Sequence, residues 1–396
     1  MAAPYQFTNR AHANARLFPP SWGALFVIPQ SNPKAGYLAH KEEIDVAIRR
    51  VLDSGWYILG QEVSAFEHEF ASVVGNKWSI GVASGTDALE LALRALGISF
   101  GDKVITVSHT AVATVAALGR IGATPLFVDI DPCRYTLAPE SLEELLSTQE
   151  GREARALIVV HLYGQMADMG AIMPIARRAG LAVIEDCAQA HGAALNGIGA
   201  GCWGDLGCFS FYPTKNLAAL GDGGAIVGAD ASLANKIRLL REYGWQERYV
   251  STEFGINSRL DEMQAAILRV RLKHLEADNN CRRAIANSYD EALATSAFAI
   301  PRRSPGAQHV FHQYVIKALN RDELRAQLKA HGIATLVHYP LAVHQQPVYA
   351  TSSFQPVPLP HTEEVVKQIL SLPIFPELSQ QDRETIVSAL SLFHSN

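Results

Sequence analysis

The chain has 396 residues, 48% of them hydrophobic and 18% charged, a composition typical of a folded globular protein rather than a disordered or fibrous one. Its formal net charge of −5 lacks the basic excess of nucleic-acid-binding domains, and no apolar run reaches the roughly 20 residues that a membrane-spanning helix needs. Five cysteines without a Cys-x-x-Cys pair argue against a disulfide framework or a zinc site and fit a reducing compartment. Together these features lead us to expect a cytoplasmic protein with no metal and no nucleic-acid or membrane partner.

Residues 1–25 are predicted to form an N-terminal extension and residues 26–278 a large domain. From about residue 80 to 230, short β-branched runs alternate with Ala/Leu-rich stretches. The runs predict strands over Ile80–Ala83, Val104–Val107, Leu126–Ile130, Ala156–Leu162, Leu181–Glu185, Gly207–Phe211 and Gly224–Val227. The stretches predict helices over Asp87–Leu96, Ala111–Gly119, Pro139–Leu146 and Met169–Arg178. This alternation, with continuously apolar strands, predicts an α/β fold whose mostly parallel sheet is covered by helices on both faces.

The last part of the chain changes character. Apolar residues at three- and four-residue spacing predict a long helix over Ser258–Asp278. Residues 279–396 are predicted to form a smaller α+β domain. Its expected elements are a helix over 281–294, a strand over Gln313–Lys317, a helix over Asp322–His331 and a closing helix after Ser379.

A phosphate site is suggested by Ser84-Gly-Thr-Asp87, which lies between a predicted strand and a strongly helical stretch. Gly85 lets the backbone approach a ligand closely, and the N-terminus of a helix offers N–H groups and the positive end of a dipole. The same residues also form an ordinary helix cap, with Ser84 as the capping residue. The pattern alone does not separate these two interpretations.

An amine and a carboxylate follow two of the predicted strands. Lys215 ends the run Phe209-Ser-Phe-Tyr-Pro-Thr-Lys215, and Asp186 follows the apolar run Leu181–Glu185. In such sheets ligands bind outside the carboxyl ends of the strands, where Asp186, Ser210 and Lys215 fall. An amine nucleophile, a buried acid and a phosphate-binding turn are the parts that a pyridoxal phosphate site requires.

Each of these residues also has a plainer interpretation. Most lysines are solvated surface residues, and an aspartate at the end of a strand commonly caps a turn. Gln189, close to Asp186 in the sequence, either bonds a ligand or faces solvent. A catalytic metal is not predicted, because His338 and His344 lie in a Pro-containing loop and no His-Glu-x-x-His motif occurs.

Several motifs in a fixed order give the chain a resemblance to a known family. From about Gly55 onward it resembles the pyridoxal-phosphate-dependent nucleotide-sugar aminotransferases called the DegT/DnrJ/EryC1/StrS family. The motifs are Gly55-Trp-Tyr-Ile-Leu-Gly60, Ser84-Gly-Thr-Asp87, Glu185-Asp-Cys-Ala-Gln-Ala-His191, Phe209-Ser-Phe-Tyr-Pro-Thr-Lys-Asn216, Gly221-Asp-Gly-Gly224 and Asn257-Ser-Arg-Leu-Asp-Glu-Met-Gln-Ala-Ala266. The resemblance implies fold type I, the aspartate-aminotransferase-like fold with a seven-stranded sheet, and a homodimer with shared active sites.

The resemblance also implies roles for individual residues. Lys215 is the Schiff-base lysine and proton shuttle, and Asp186 pairs with the pyridine nitrogen. The remaining cofactor contacts are implied for Gly85, Thr86, Gln189, Ser210 and, from the neighbouring subunit, Asn257. Substrate contacts are implied for Tyr212, His338 and Tyr339.

Within the family, Arg241–Val250 and the motif starting at Asn257 look most like enzymes that act at C-3 of a dTDP-linked 3-keto-6-deoxy sugar, with L-glutamate as amino donor. A C-4 aminotransferase and a non-catalytic regulator that senses the cofactor or a sugar are the alternatives. One departure concerns the aromatic residue that the family stacks on the cofactor, because this chain has Ala111 there. Either His109 stacks on that face of the cofactor or no residue does.

Overall fold

The computed structural model describes residues 27–350 and 358–393, so the extension predicted for residues 1–25 lies outside the described residues. The helices are α1 (Pro33–Ala39), α2 (Lys41–Ser54), α3 (Gln61–Val74), α4 (Gly85–Ala95), α5 (Val112–Ile121), α6 (Pro139–Ser147), α7 (Gln149–Arg152), α8 (Met169–Arg178), α9 (Ala231–Leu240), α10 (Glu262–Leu293), α11 (Arg321–Ala330), α12 (Pro347–Ala350), α13 (Pro360–Gln368) and α14 (Gln380–Leu392). The strands are β1 (Trp78–Val82), β2 (Lys103–Val107), β3 (Thr124–Val128), β4 (Ala154–Val160), β5 (Ala182–Asp186), β6 (Ala194–Leu195), β7 (Ile198–Gly199), β8 (Leu206–Ser210), β9 (Gly224–Gly228), β10 (Trp245–Glu247), β11 (Val250–Ser251), β12 (Ala307–Gln308), β13 (Tyr314–Lys317) and β14 (Ile369–Leu372).

The central sheet has seven strands in the order β1-β9-β8-β5-β4-β2-β3. The pairs β8–β5, β5–β4, β4–β2 and β2–β3 are parallel, and β9 runs antiparallel to both of its neighbours. All seven strands coincide with predicted runs, so the mostly parallel α/β sheet is confirmed. The register pairs Val160 with Asp186 and Asp186 with Cys208, which aligns the carboxyl ends of β4, β5 and β8 at one edge.

Both faces of this sheet are buried under helices, and neighbouring side chains of a strand point to opposite faces. Val159 and Val183 belong to one apolar cluster, which also contains residues of α3, α6, α8 and α10. Their neighbours Ile158 and Ile184 belong to a second cluster, formed with α4, α5 and α9. A third cluster lies in the C-terminal part of the chain, among the end of α10, β13, β14, α11 and α14.

The longest helix corrects one expectation. The sequence predicted two helices, Ser258–Asp278 and 281–294, but α10 runs unbroken for 32 residues. Asn279, between the two predicted helices, is fully buried; its side chain donates to the carbonyl of His191 and accepts from Asn216. Tertiary hydrogen bonds therefore outweigh the low helix propensity of asparagine. The division into two domains after residue 278 falls inside this helix and stays a prediction.

The start of α10 also holds the start of α3. Glu262 is 3% exposed, and its carboxylate accepts from the backbone N–H groups of Gly60, Glu62 and Val63 at 2.8–2.9 Å. These N–H groups at the start of α3 have no partner within their own helix. One buried carboxylate thus satisfies three donors across about 200 residues of sequence.

We predict that Glu262→Ala lowers the free energy of unfolding by roughly 2–4 kcal/mol, because three largely buried N–H groups lose their acceptor. Glu262→Gln, which keeps one acceptor oxygen, should lose less. Denaturant unfolding measures the effect, with Glu291→Ala on the exposed face of the same helix as the control. Equal stability of Glu262→Ala and Glu291→Ala would contradict this account.

Candidate active site

A cavity opens at the carboxyl edge of the sheet. Its walls come from the N-terminus of α4, the ends of β4, β5 and β8, the loop after β8, and two loops of the C-terminal part. Among the residues singled out from the sequence, it is lined by Gly85, Thr86, Asp186, Gln189, Ser210, Tyr212, Lys215, His338 and Tyr339. Parallel pairing of β4, β5 and β8 is what brings residues from such distant parts of the chain together.

The turn between β1 and α4 is both a helix cap and a close approach of two backbones. Ser84 caps α4, and its hydroxyl accepts from the N–H of Asp87 at 3.1 Å. A Cβ on Gly85 would lie 2.6 Å from the Cβ of Ser210, so only glycine fits beside β8. The positive end of the α4 dipole therefore faces the cavity next to the Ser210 hydroxyl, an arrangement suited to a phosphate group.

Asp186 lies at the end of β5 and is 6% exposed. One carboxylate oxygen accepts from the Thr114 hydroxyl at 2.8 Å, and the other from the Ala188 N–H at 3.2 Å. Burial raises the pKa of Asp186, while these hydrogen bonds and the nearby Lys215 oppose the rise. Thr114 was not predicted from the sequence; its only signal is a hydroxyl in the otherwise apolar start of α5.

Lys215 follows β8, is partly exposed and lines the cavity. Burial lowers the pKa of Lys215 to about 8, and the Asp186 carboxylate acts in the opposite direction. A lysine with this pKa has a sizeable neutral fraction near physiological pH. Neutral amine is the form that adds to a carbonyl group.

Gln189 is fixed by two hydrogen bonds rather than facing solvent. Its carbonyl oxygen accepts from the N–H of Tyr163 at 2.7 Å, and its amide donates to the Tyr339 hydroxyl at 3.1 Å. The Tyr163 hydroxyl in turn donates to the carbonyl of His338. Gln189 therefore links β5 to the loop that carries two of the predicted substrate residues.

Two predicted site residues lie outside the group that lines the cavity. His109 is 1% exposed and bonds the Tyr163 hydroxyl through Nε2 at 2.9 Å, whereas Ala111 lines the cavity wall. Asn257 is exposed on this chain, and its backbone forms an isolated antiparallel β-bridge with Glu242. The proposed stacking role of His109 and the proposed cross-subunit role of Asn257 stay predictions.

Glu185, the buried neighbour of Asp186, has a structural role. It accepts hydrogen bonds from the N–H groups of Gly201, Trp203 and Gly204. Its remaining contact is with Nε2 of His161, at 2.9 Å. The side chain of Glu185 therefore points away from the cavity that Asp186 lines, because successive residues of a strand face opposite sides.

Comparison with known proteins identifies the family. The model of the DegT/DnrJ/EryC1/StrS aminotransferase family matches residues 39–391. The chain belongs to this family. Its relatives include the dTDP-3-amino-3,4,6-trideoxy-alpha-D-glucose transaminase of Streptomyces venezuelae, which is 45% identical over 92% of this chain and 95% of its own length. The resemblance inferred from the motifs is thereby confirmed.

Other relatives are described differently. The UDP-N-acetyl-3-dehydro-alpha-D-glucosamine 3-aminotransferase of Acidithiobacillus ferrooxidans is 44% identical, over 92% of this chain and 97% of its own. The Erythromycin biosynthesis sensory transduction protein EryC1 of Saccharopolyspora erythraea is 44% identical as well, over 92% of this chain and 98% of its own. Relatives of this chain thus include proteins described as transaminases and one described as a sensory transduction protein.

Solved structures confirm the predicted fold. DesV of S. venezuelae in complex with a ketimine intermediate superposes with a TM-score of 0.90 at 44% identity, covering 93% of this chain and 99% of DesV. NtdA of Bacillus subtilis with bound cofactor PMP superposes with a TM-score of 0.83 at 30% identity, covering 90% of this chain and 82% of NtdA. In residues 27–350 and 358–393, no helix is both long and apolar enough to span a membrane.

We predict that acylation of Lys215 in the cofactor-free protein rises with pH around a midpoint near 8. In Asp186→Asn the midpoint should move to lower pH, because the charge that favours the ammonium form is gone. Mass spectrometry of the labelled peptide measures this, with exposed Lys273 as the comparison in the same digest. A Lys215 midpoint equal to that of Lys273 would contradict the burial argument.

Proposed function

We propose that the chain is a pyridoxal-phosphate-dependent aminotransferase that moves the amino group of L-glutamate to the C-3 keto group of a nucleotide-diphospho-6-deoxyhexose. The observation that carries the proposal is the convergence of Lys215 and Asp186 in one cavity, beside the N-terminus of α4. Family membership and relatives named for C-3 amino or keto sugars support it. The free state of all five cysteines agrees with a reducing cytoplasm.

The donor groups of the cavity fit pyridoxal phosphate. Gly85, Thr86 and Ser210 would hold the phosphate, and the absence of a side chain at Gly85 lets the start of α4 lie against Ser210. Asp186 would accept from the pyridine nitrogen, and Lys215 would attach the cofactor covalently. When bound, the cofactor supplies a ring that accepts electrons from the carbon that loses its proton.

The residues then divide the chemistry between them. Lys215, as a neutral amine, would take a proton from the donor carbon and return it to the carbon on the other side of the donor nitrogen, for which a pKa near 8 suits it. Asp186, ionised, favours a protonated pyridine nitrogen and so makes the ring a better electron acceptor. The same two residues would act in the second half-reaction, in which the steps run in reverse and the amino group passes to the keto sugar.

The sugar would lie at the cavity rim near Tyr212, His338 and Tyr339. Tyr212 is 50% exposed, so it is free to contact a large ligand. The Nδ1 of His338 bonds the Ser371 hydroxyl at 2.8 Å, which fixes the ring. Burial lowers the pKa of His338 to about 4, and it is therefore neutral at pH 7 and suited to hydrogen bonding with a hydroxyl or keto group.

Amination at C-4 and a sensory role without turnover are the competing functions. The name of the EryC1 relative favours the second. A non-catalytic regulator is expected to have lost the lysine amine or the buried acid, and this chain keeps both in one cavity. Turnover of a panel of 3-keto and 4-keto nucleotide sugars with glutamate separates the three functions.

We further propose a homodimer in which Asn257 completes the partner's cofactor site. Asn257 is exposed and does not line its own chain's cavity. Large apolar side chains are also exposed, Trp56 at 64% and Phe254 at 94%, and Phe254 lies close to Asn257 in the sequence. Exposed groups of this kind are typical of a protein interface.

We predict that borohydride reduction of the protein loaded with pyridoxal phosphate places the adduct on Lys215, and that Lys215→Ala loses both the adduct and turnover. Asp186→Asn should retain the adduct but lower kcat by about 10²–10⁴-fold. Peptide mapping and steady-state kinetics measure the two effects. An adduct on another lysine, or turnover of Asp186→Asn near that of wild type, would refute the assignment.

A mixed dimer tests the shared site. We expect Lys215→Ala and Asn257→Asp homodimers each to have little activity. A heterodimer of the two has one site with both defects and one site with neither, so activity should recover toward half of wild type. Differently tagged subunits, purified as the heterodimer, allow the measurement. If verified heterodimers show no recovery, Asn257 acts within its own chain.

A further inference from the structure

Three side chains form a buried chain of hydrogen bonds that ends on the site carboxylate. The Thr110 hydroxyl lies 2.8 Å from the Thr114 hydroxyl, and Thr114 donates to the Oδ2 of Asp186 at 2.8 Å. Thr114 is fully buried and Thr110 is 2% exposed. Thr110 also lines the cavity, so the chain runs from the cavity wall to the back of Asp186.

The direction of these hydrogen bonds depends on the charge of Asp186. An ionised carboxylate only accepts, so Thr114 gives it its single proton and must itself accept from Thr110. If Asp186 were protonated and donated instead, the order would reverse and Thr110 would need another acceptor. Within the described part of the chain, Thr114 is the sole hydrogen-bond partner of the Thr110 hydroxyl.

Ordinary helix structure does not require this arrangement. Thr114 is the third residue of α5, and a threonine in a helix commonly bonds a backbone carbonyl three or four residues earlier. Here it faces β5 instead and contacts a carboxylate 72 residues away in sequence. A buried hydroxyl at this place needs an acceptor, and a valine of the same shape would not.

We infer that Thr110 and Thr114 are positioning residues that keep Asp186 ionised and oriented toward the cofactor nitrogen. The inference rests on the proposed function and adds to it two residues that contribute to the site through Asp186. Each hydrogen bond to a charged acceptor stabilises the charged form, and a donor that itself accepts a hydrogen bond is strengthened.

Other groups around Asp186 act on the same equilibrium. Lys215 and His161 favour the ionised carboxylate, as does the N–H of Ala188, whereas burial disfavours it. The thiols of Cys187 and Cys208 and the hydroxyl of Tyr339 also lie close. None of these groups is altered by Thr114→Val, so that substitution tests the effect of the Thr114 hydroxyl alone.

The test compares Thr114→Val with Thr114→Ser. Affinity of the cofactor-free protein for pyridoxal phosphate, followed by fluorescence from pH 5 to 9, and the pH profile of kcat are the two measurements. In Thr114→Val the acid limb of both profiles should move up by roughly one to two pH units, because the ionised carboxylate has lost a hydrogen bond. Thr114→Ser, which keeps the hydroxyl, should restore most of the wild-type profile.

Two further results keep the test decisive. Thr110→Val should shift the acid limb in the same direction by less, since it acts through Thr114, and it serves if Thr114→Val does not fold. Unchanged acid limbs in the valine variants, or losses equal at every pH, would overturn the inference. Failure of the wild-type protein to bind pyridoxal phosphate would instead refute the proposed function.

Discussion

The structure depends on holding an amine and a carboxylate together in one recessed cavity. Burial disfavours the charged form of both groups: it lowers the pKa of Lys215 and raises that of Asp186, while each group's charge opposes the shift of the other. Their mutual attraction favours the charged forms of both groups, and the Asp186 carboxylate is further stabilised by hydrogen-bond donors. The parallel sheet makes this possible, because it ends β5 and β8 side by side.

A second set of contacts joins this edge to the C-terminal part of the chain. Asn216, next to the lysine, donates to the side chain of Asn279 on α10 and to the carbonyl of Val310. On the other side of the cavity, Gln189 bonds both Tyr163 and Tyr339. The backbone that carries Lys215 and the loop that carries the substrate residues are thus both fixed by buried amides, whose hydrogen bonds are directional.

The family shows why the fold alone does not decide what such a chain does. Relatives of equal similarity are described as transaminases of different nucleotide sugars and as a sensory transduction protein. A scaffold of this kind supports several functions, and the side chains of the site distinguish them. In this chain the lysine, the acid and the glycine beside Ser210 are all present at one cavity, and they favour catalysis.

The sequence by itself determined the parallel sheet and most of the cavity wall. Strands buried on both faces are continuously apolar, and residues that follow parallel strands meet at one edge of the sheet, which is where Asp186, Ser210 and Lys215 lie. Only the tertiary structure decided that α10 continues through Asn279, that His109 lies behind the wall, and that Thr114 donates to Asp186. Those outcomes depend on hydrogen bonds between residues far apart in the chain, and local propensity and periodicity carry no information about such partners.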